Sequence, residues 1–384
     1  MTDEEELRQN YRTLVVMQPT TFCNINCSYC YLPERSRQVR MRPEVRQAAF
    51  DKVLASSLVE DPVVFLWHLG EPLSVPPRFY ETAFAEAGLA AQRYGRRIRH
   101  GFQTNATLLS PTWADLIRRH HVIMGVSVDG PAFIHDRVRV KRSGAGTHAE
   151  VMRGIKVLQE AGIGFGAISV VTDFTLDYPE EFYDFFAEHR IGDIGFNIDE
   201  IEGINQTSSL RLEQTPQRYE RFFERLLVRS DHHRGAVKIR EVWTNLAALA
   251  FGGADPVNST NTPFRILNID QAGNITTFCP ELVTATAIQE PGFVMGNVLT
   301  GSVDDMLGSP AFQQVSRQIA AGVELCRTTC DYWAFCGGGS PSNKYFEQGR
   351  FDVAETRACR VHKKATVDVL LRHLEQRTGL QSPR

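Results

Sequence analysis

Six short apolar runs punctuate the first two hundred residues: "RTLVVMQPT" (12–20), "PVVFLWHLG" (62–70), "IRHGFQTNA" (98–106), "VIMGVSVDGP" (122–131), "FGAISVVT" (165–172) and "IGDIGFNIDE" (191–200). They have the length of strands and the near-continuous apolar character of strands buried on both faces. Between them, 42–58, 77–95, 110–121, 147–162 and 179–189 place apolar residues every three or four positions, the helical period. Ser110 before Pro111 is a helix-opening pair, and Gly95 is a helix stop. Alternation of this kind predicts an α/β fold of parallel strands joined by helical crossovers, as an open or closed barrel. Polar clusters follow the runs: three cysteines after the first, "LGEP" after the second, "TN", "SVDG" and "FNIDE" after later ones. All fall at the C-terminal ends of strands, where such folds collect their chemistry.

From about residue 205 the alternation fades. Stretches 215–233 and 240–253 read as helices, "PVNSTNTP" (256–263) as a Pro-bracketed loop, and "FRILNIDQAGNITTFCP" (264–280) as a hairpin with a Gly-Asn turn. A basic helix is expected over 357–377. The expected organisation is an acidic N-terminal tail (1–11), a barrel (12–235), a bridging region (236–263) and a cysteine-bearing region (264–384). No repeat or low-complexity segment is visible.

At 384 residues, with 42% hydrophobic and 23% charged residues, the chain is long enough for a large buried core. A net charge of −3 argues against nucleic acid or an anionic membrane as partner. The start, "MTDEEELRQNY", lacks the basic-then-apolar pattern of a signal peptide, and nothing approaches the ~20 apolar residues of a spanning segment. A cytoplasmic location is expected. About a dozen residues precede the first strand, too few for the winged-helix leader-binding domain of many peptide maturases.

Cysteine placement changes the picture most. Of eight, three sit at Cys23, Cys27 and Cys30, none follows until Cys279, and Cys326, Cys330, Cys336 and Cys359 come late. Their neighbours are Asn, Ser, Thr, Gly and Arg, which points to ligation. Three thiolates can hold three irons of a four-iron cluster and leave the fourth open. Zinc is the competing reading, although closed zinc sites take four ligands in spaced pairs.

With "CNINCSYC" (23–30) the chain resembles the radical S-adenosylmethionine (SAM) superfamily. "HLGEP" (68–72), "QTNATLL" (103–109) and "SVDGPAFIHDRVR" (127–139) extend the likeness, with Leu69 where the family usually has Gly. The resemblance implies a partial (β/α)6 TIM-like barrel with a C-terminal cysteine-rich iron–sulfur extension. It implies a 4Fe-4S cluster on Cys23, Cys27 and Cys30, and SAM bound by Tyr29 against adenine, by the Gly70-Glu71-Pro72 loop at the methionine amino group, and by Asn105, Ser127, Asp129 and Arg139. Reductive cleavage of SAM would then give a radical that removes hydrogen from an unactivated C–H bond, with an external one-electron reductant as partner.

Cys326, Cys330, Cys336 and Cys359 supply four thiolates, a full shell for a second cluster or for zinc. The region resembles the auxiliary-cluster (SPASM) extension of peptide and sulfatase maturases, whose pattern has seven cysteines and two clusters. Gly301 and Ser340 stand where two of the first auxiliary cluster's ligands are expected. The implied cofactors are therefore SAM and two 4Fe-4S clusters, one SAM-binding and one auxiliary, with Cys279 a remnant that is a buried thiol, a substrate contact or a ligand of a degenerate site.

"CGGGSPSNKYFEQG" (336–349), "WHLGEPL" and "IGFNIDEIEG" resemble maturases that close cyclophane cross-links in ribosomally made, glycine-rich-repeat peptides. The expected substrate is a precursor peptide, with Glu281, Asp199, Glu200 and Asp270 as candidate bases. The alternatives are a formylglycine-forming sulfatase maturase, a thioether-forming or epimerising peptide enzyme, and, without turnover, an iron–sulfur redox sensor.

Overall fold

The computed structural model describes residues 12–250, 256–284 and 292–379. The acidic tail and the expected end of the 240–253 helix lie outside these residues. Strands β1 (Thr13–Met17), β2 (Val63–Trp67), β3 (Ile98–Thr104), β4 (Ile123–Ser127), β5 (Gly166–Val171) and β6 (Asp193–Ile198) alternate with helices α1 (Pro43–Ala55), α2 (Pro77–Tyr94), α3 (Pro111–Arg119), α4 (His148–Glu160) and α5 (Pro179–Glu188). Then come α6 (Thr215–His232), β7 (Lys238–Ile239), α7 (Arg240–Ala250), β8 (Ile266–Ile269), β9 (Asn274–Thr277) and β10 (Gly296–Asn297). Helices α8 (Pro310–Thr329), α9 (Pro341–Gln348) and α10 (Ala365–Thr378) follow. The α/β fold and the parallel partial barrel expected from the alternation are observed.

Among the described residues ten strands form one sheet in the order β10-β9-β8-β1-β2-β3-β4-β5-β6-β7. Neighbours from β1 to β7 are parallel. The expected hairpin is β8–β9, turned at Gly273 with φ +89°. Its place was not expected: β8 lies parallel to β1, Leu14 opposite Ile266, so residues of the cysteine-bearing region continue the barrel sheet. Two-residue strand β7 extends the other edge.

Side chains of successive strand residues point to opposite faces. On the outer face Phe65, Trp67 and Phe102 are fully buried beneath the helices, with Trp67 edge-on to Tyr80 of α2 at 5.2 Å. On the inner face Gln103, Ser127, Ile168, Val170 and Asn197 border a cavity. Burial of the outer aromatics, at roughly 1.5–3 kcal/mol for each fully buried side chain, fixes which residues face inward.

The expected helix over 357–377 forms as one continuous helical run with a local change of register. Residues Cys359–Lys364 form a wider π turn before α10 begins. Such turns recur at functional sites, and this one starts on a cysteine.

Candidate functional site

The loop after β1 is stitched down rather than open. Asn26 and Ser28 N–H groups donate to the carbonyls of Val140 and Val138, and Cys23 N–H donates to Arg35. Arg35 in turn donates to Asn26 Oδ1 and the Leu32 carbonyl. This holds Cys23, Cys27 and Cys30 along one cavity wall. Asn105 Nδ2 points at Cys23 Sγ (3.8 Å) and Arg139 at Cys27 Sγ (3.9 Å). Burial pushes the Cys23 thiol well above its ordinary value and Cys27 up to about 12. Thiolates here therefore need a positive group bound among them. Three inward thiols with two directed donors fit a cluster with an open iron.

The loop after β2 is sewn to the first: Glu71 N–H donates to the Phe22 carbonyl. Gly70 has φ +95°, and a Cβ there would lie 2.4 Å from the Thr20 carbonyl oxygen, so only glycine fits. Leu69 also has positive φ (65°), the conformation for which the family's glycine is suited. The Glu71 carboxylate accepts from Leu73 N–H, Thr104 hydroxyl and Asn105 N–H at 2.7–2.9 Å. Burial nevertheless raises it to about 7. On the facing wall Gln103 donates to Ser127 Oγ (2.9 Å), and His68, held neutral by burial down to about pH 4, has Nδ1 buried without a partner.

Carboxylates line the same cavity. Asp199, Glu200, Glu202 and Glu281 all border it. Burial pushes Glu281 to about 7, while burial and the charge of Glu281 push Glu200 to about 8 and Glu202 well above the carboxylate range. Behind Glu202 runs a chain of side chains: Ser342 Oγ donates to Glu202 (2.8 Å), Ser340 lies 2.8 Å from Ser342, and Cys279 Sγ lies 3.7 Å from Ser340. Cys279 is 1% exposed. A hydroxyl chain thus occupies the neighbourhood of Cys279 and Ser340.

The structure brings together Tyr29, Gly70, Glu71, Asn105, Ser127, Arg139, Asp199, Glu200 and Glu281 with the three thiols. Three other expected residues are not among those lining the cavity. Asp129 does not border the cavity; fully buried, it accepts from Tyr29 (2.6 Å), Arg139 (2.9 Å) and Val170 N–H (2.9 Å), and so positions two residues that do. Pro72 likewise stays outside, its carbonyl accepting from Tyr80. Asp270 closes the β8–β9 turn by accepting from Ala272 and Asn274, away from the cavity. Asp199 borders it but is engaged with Asn205 and Ser209. Glu202 and His68 were missed. A period of two in extended chain puts Glu200 and Glu202 on one face, a signal legible in "IDEIEG".

The later cysteines also gather. Cys326 lies in the last turn of α8, and its thiol is influenced by the charges of Cys330 and Cys336, as Cys359 is. Gly337, Gly338 and Gly339 all have positive φ (58°, 103° and 71°). The carbonyls of Cys336, Gly337 and Gly339 accept from Asn258 and Asn261 of the 256–263 loop at 2.9–3.0 Å. That loop, expected only as a bridge, clamps the glycine run. No three His, Cys, Asp or Glu side chains among the described residues close up as a shell for one metal ion.

The family model described as "Radical SAM superfamily" matches residues 17–186. Uncharacterized protein sll1766 of Synechocystis sp. is 39% identical over 372 residues, 96% of this chain and 93% of that one. The chain belongs to the radical SAM superfamily. Membership implies a 4Fe-4S cluster with bound SAM, and Cys23, Cys27 and Cys30 are the residues that fit it. A second relative, the serine-type anaerobic sulfatase-maturating enzyme of Bacteroides thetaiotaomicron, is 35% identical over 181 residues, 45% of this chain and 43% of that one. The fold matches anSMEcpe with bound AdoMet at TM-score 0.79, 19% identity and coverage of 96% and 99%. It matches Streptococcus suis SuiB bound to precursor peptide SuiA at TM-score 0.62, 14% identity and coverage of 93% and 78%. No helix among the described residues of this radical SAM protein is long and apolar enough to cross a membrane.

Proposed function

We propose that this radical SAM enzyme acts on a precursor peptide and closes an intrapeptide cross-link from an aromatic ring carbon to a side-chain β-carbon. The observation that carries the reading is that one cavity is lined both by the three thiols of the first loop and by the carboxylates of Glu200, Glu202 and Glu281. When bound, the cluster and SAM supply a radical able to take hydrogen from a C–H bond. The chain's own residues then have three tasks. Asn105, Ser127 and Arg139 orient SAM beside the thiols. The walls Ile168 and Val170 keep water from the reacting centre. Glu281 or Glu200, both half-buried at the cavity, takes up the proton that rearomatisation releases.

Loss of that proton leaves one electron to remove. The four later thiols, with Asn258 and Asn261 holding the loop between them, fit a single auxiliary cluster as its acceptor. The hydroxyl chain at Cys279 and Ser340 supports one such cluster, not two, because serine and a buried neutral thiol replace ligands there. SuiB in complex with its precursor peptide supports the peptide class, and the resemblance of the short motifs around residues 68, 195 and 336 supports the cross-link. The second reading, oxidation of a Ser or Cys to formylglycine, is favoured by the sulfatase-maturating relatives.

Mass spectrometry of a co-expressed precursor separates them. A peptide lighter by two hydrogens with a ring-to-β-carbon bond is expected. A side-chain aldehyde, or deuterium at an α-carbon with no mass loss, overturns the cross-link.

A further inference from the structure

Lys344 is a buried lysine whose amino group lies against sulfur. It is 2% exposed, on α9, and its Nζ lies 3.7 Å from Cys326 Sγ. Among the described residues no carboxylate pairs with it; the groups that favour its charged form are Cys326, Cys336 and Cys359. Burial alone lowers its pKa. An isolated ammonium in such a place costs several kcal/mol. The fold nevertheless makes room for it: Nζ lies 3.1 Å from where a Cβ on Gly322 of α8 would stand. Four thiolates on a cluster carry the negative charge that a lone thiol at neutral pH lacks.

We propose that Lys344 tunes the auxiliary cluster, its fixed positive charge raising the reduction potential of the site formed by Cys326, Cys330, Cys336 and Cys359. This rests on the single-auxiliary-cluster reading above. Reduction adds one negative charge to the cluster, and a cation beside a ligand sulfur stabilises the reduced form more than the oxidised one. The site thereby becomes a better acceptor for the electron left after hydrogen abstraction. Lys344 acts on the sulfur, not on the peptide, and is a positioning residue for charge.

The test uses full-length chain carrying Cys23, Cys27 and Cys30 all as Ala, so that the auxiliary cluster alone gives the signal. Iron content and an electron-paramagnetic-resonance redox titration are read for this parent and for added Lys344→Met and Lys344→Arg. K344M, which keeps the stem and removes the charge, shifts the midpoint potential to more negative values; K344R keeps it near the parent. Should K344M take up no iron, K344R retaining it supports the need for a cation at this place. An unchanged potential in iron-loaded K344M, an iron-loaded K344R far from the parent, or loss of iron in both variants overturns the proposal. A parent without iron is a different result: it removes the cluster reading itself.

Discussion

Ser342 donates its hydroxyl to the carboxylate of Glu202 across 2.8 Å, joining α9 of the cysteine-bearing region to the loop after β6. One end of this contact borders the cavity and the other leads through Ser340 to the buried thiol of Cys279. The bond favours the charged form of Glu202, against burial and the charges of Glu281 and Glu200.

Ser342→Ala therefore removes that support and pushes Glu202 further toward its protonated form. A lost hydrogen bond to a charged group is worth about 1.5–3 kcal/mol. A neutral Glu202 repels the charged forms of Glu200 and Glu281 less, so the rise of cross-linked product with pH should move to lower pH, while 5′-deoxyadenosine formation without coupling persists. Chromatography of both products checks it; equal loss of the two places Ser342 in SAM binding instead.

Acidity gives a second expectation. A base must be unprotonated to act, and Glu281 and Glu200 are raised to about 7 and about 8. Raising the pH removes their protons, so product formation climbs through that window, by about tenfold per unit on its acid side. Charges facing these groups are Glu202, Glu347 and Lys363. Glu281→Gln and Glu200→Gln, each measured across the same range, identify which carboxylate gives the rise: the variant of the base loses it.

Iron content tests the ligand assignment. Intact anaerobic protein should hold about eight irons, two four-iron clusters. Replacing Cys23, Cys27 and Cys30 together by Ala should leave about four and no SAM cleavage. A count near twelve in the intact protein would show a third cluster despite Ser340 and Gly301.

Asp129 supplies a structural prediction. Asp129→Asn leaves Arg139 buried without its counter-charge, now 2.9 Å away. Removing one member of a buried pair costs about 3–5 kcal/mol. Denaturant unfolding should show that loss, together with weaker SAM binding through displaced Tyr29 and Arg139. Unchanged stability would mean that the pair is not formed in solution.

Strand and helix order was legible because buried parallel strands and amphipathic crossovers have different periods. The first thiol loop was legible because three ligands fit in eight consecutive positions. Asp270 misled: its acidic side chain reads as a base, yet an Asp three residues before Gly273 is equally the start of a turn, and the turn is what forms. The clamp of Asn258 and Asn261 on the glycine run was not legible, since its partners lie far along the chain and an asparagine in a Pro-bracketed loop has no local mark. The same distance hid the pairing of β8 with β1.

That pairing has a temporal consequence. Strand β1, which leads directly into the first thiol loop, has β2 on one side and β8 on the other, with Leu14 matched to both Val64 and Ile266. During synthesis the first partner emerges early and the second only after most of the chain has been made. Until then the strand beneath the cysteines is an exposed edge with unmet backbone groups. The first loop thus reaches its final support only when the C-terminal part is in place, so assembly of the SAM-binding end depends on completion of the end that holds the later thiols.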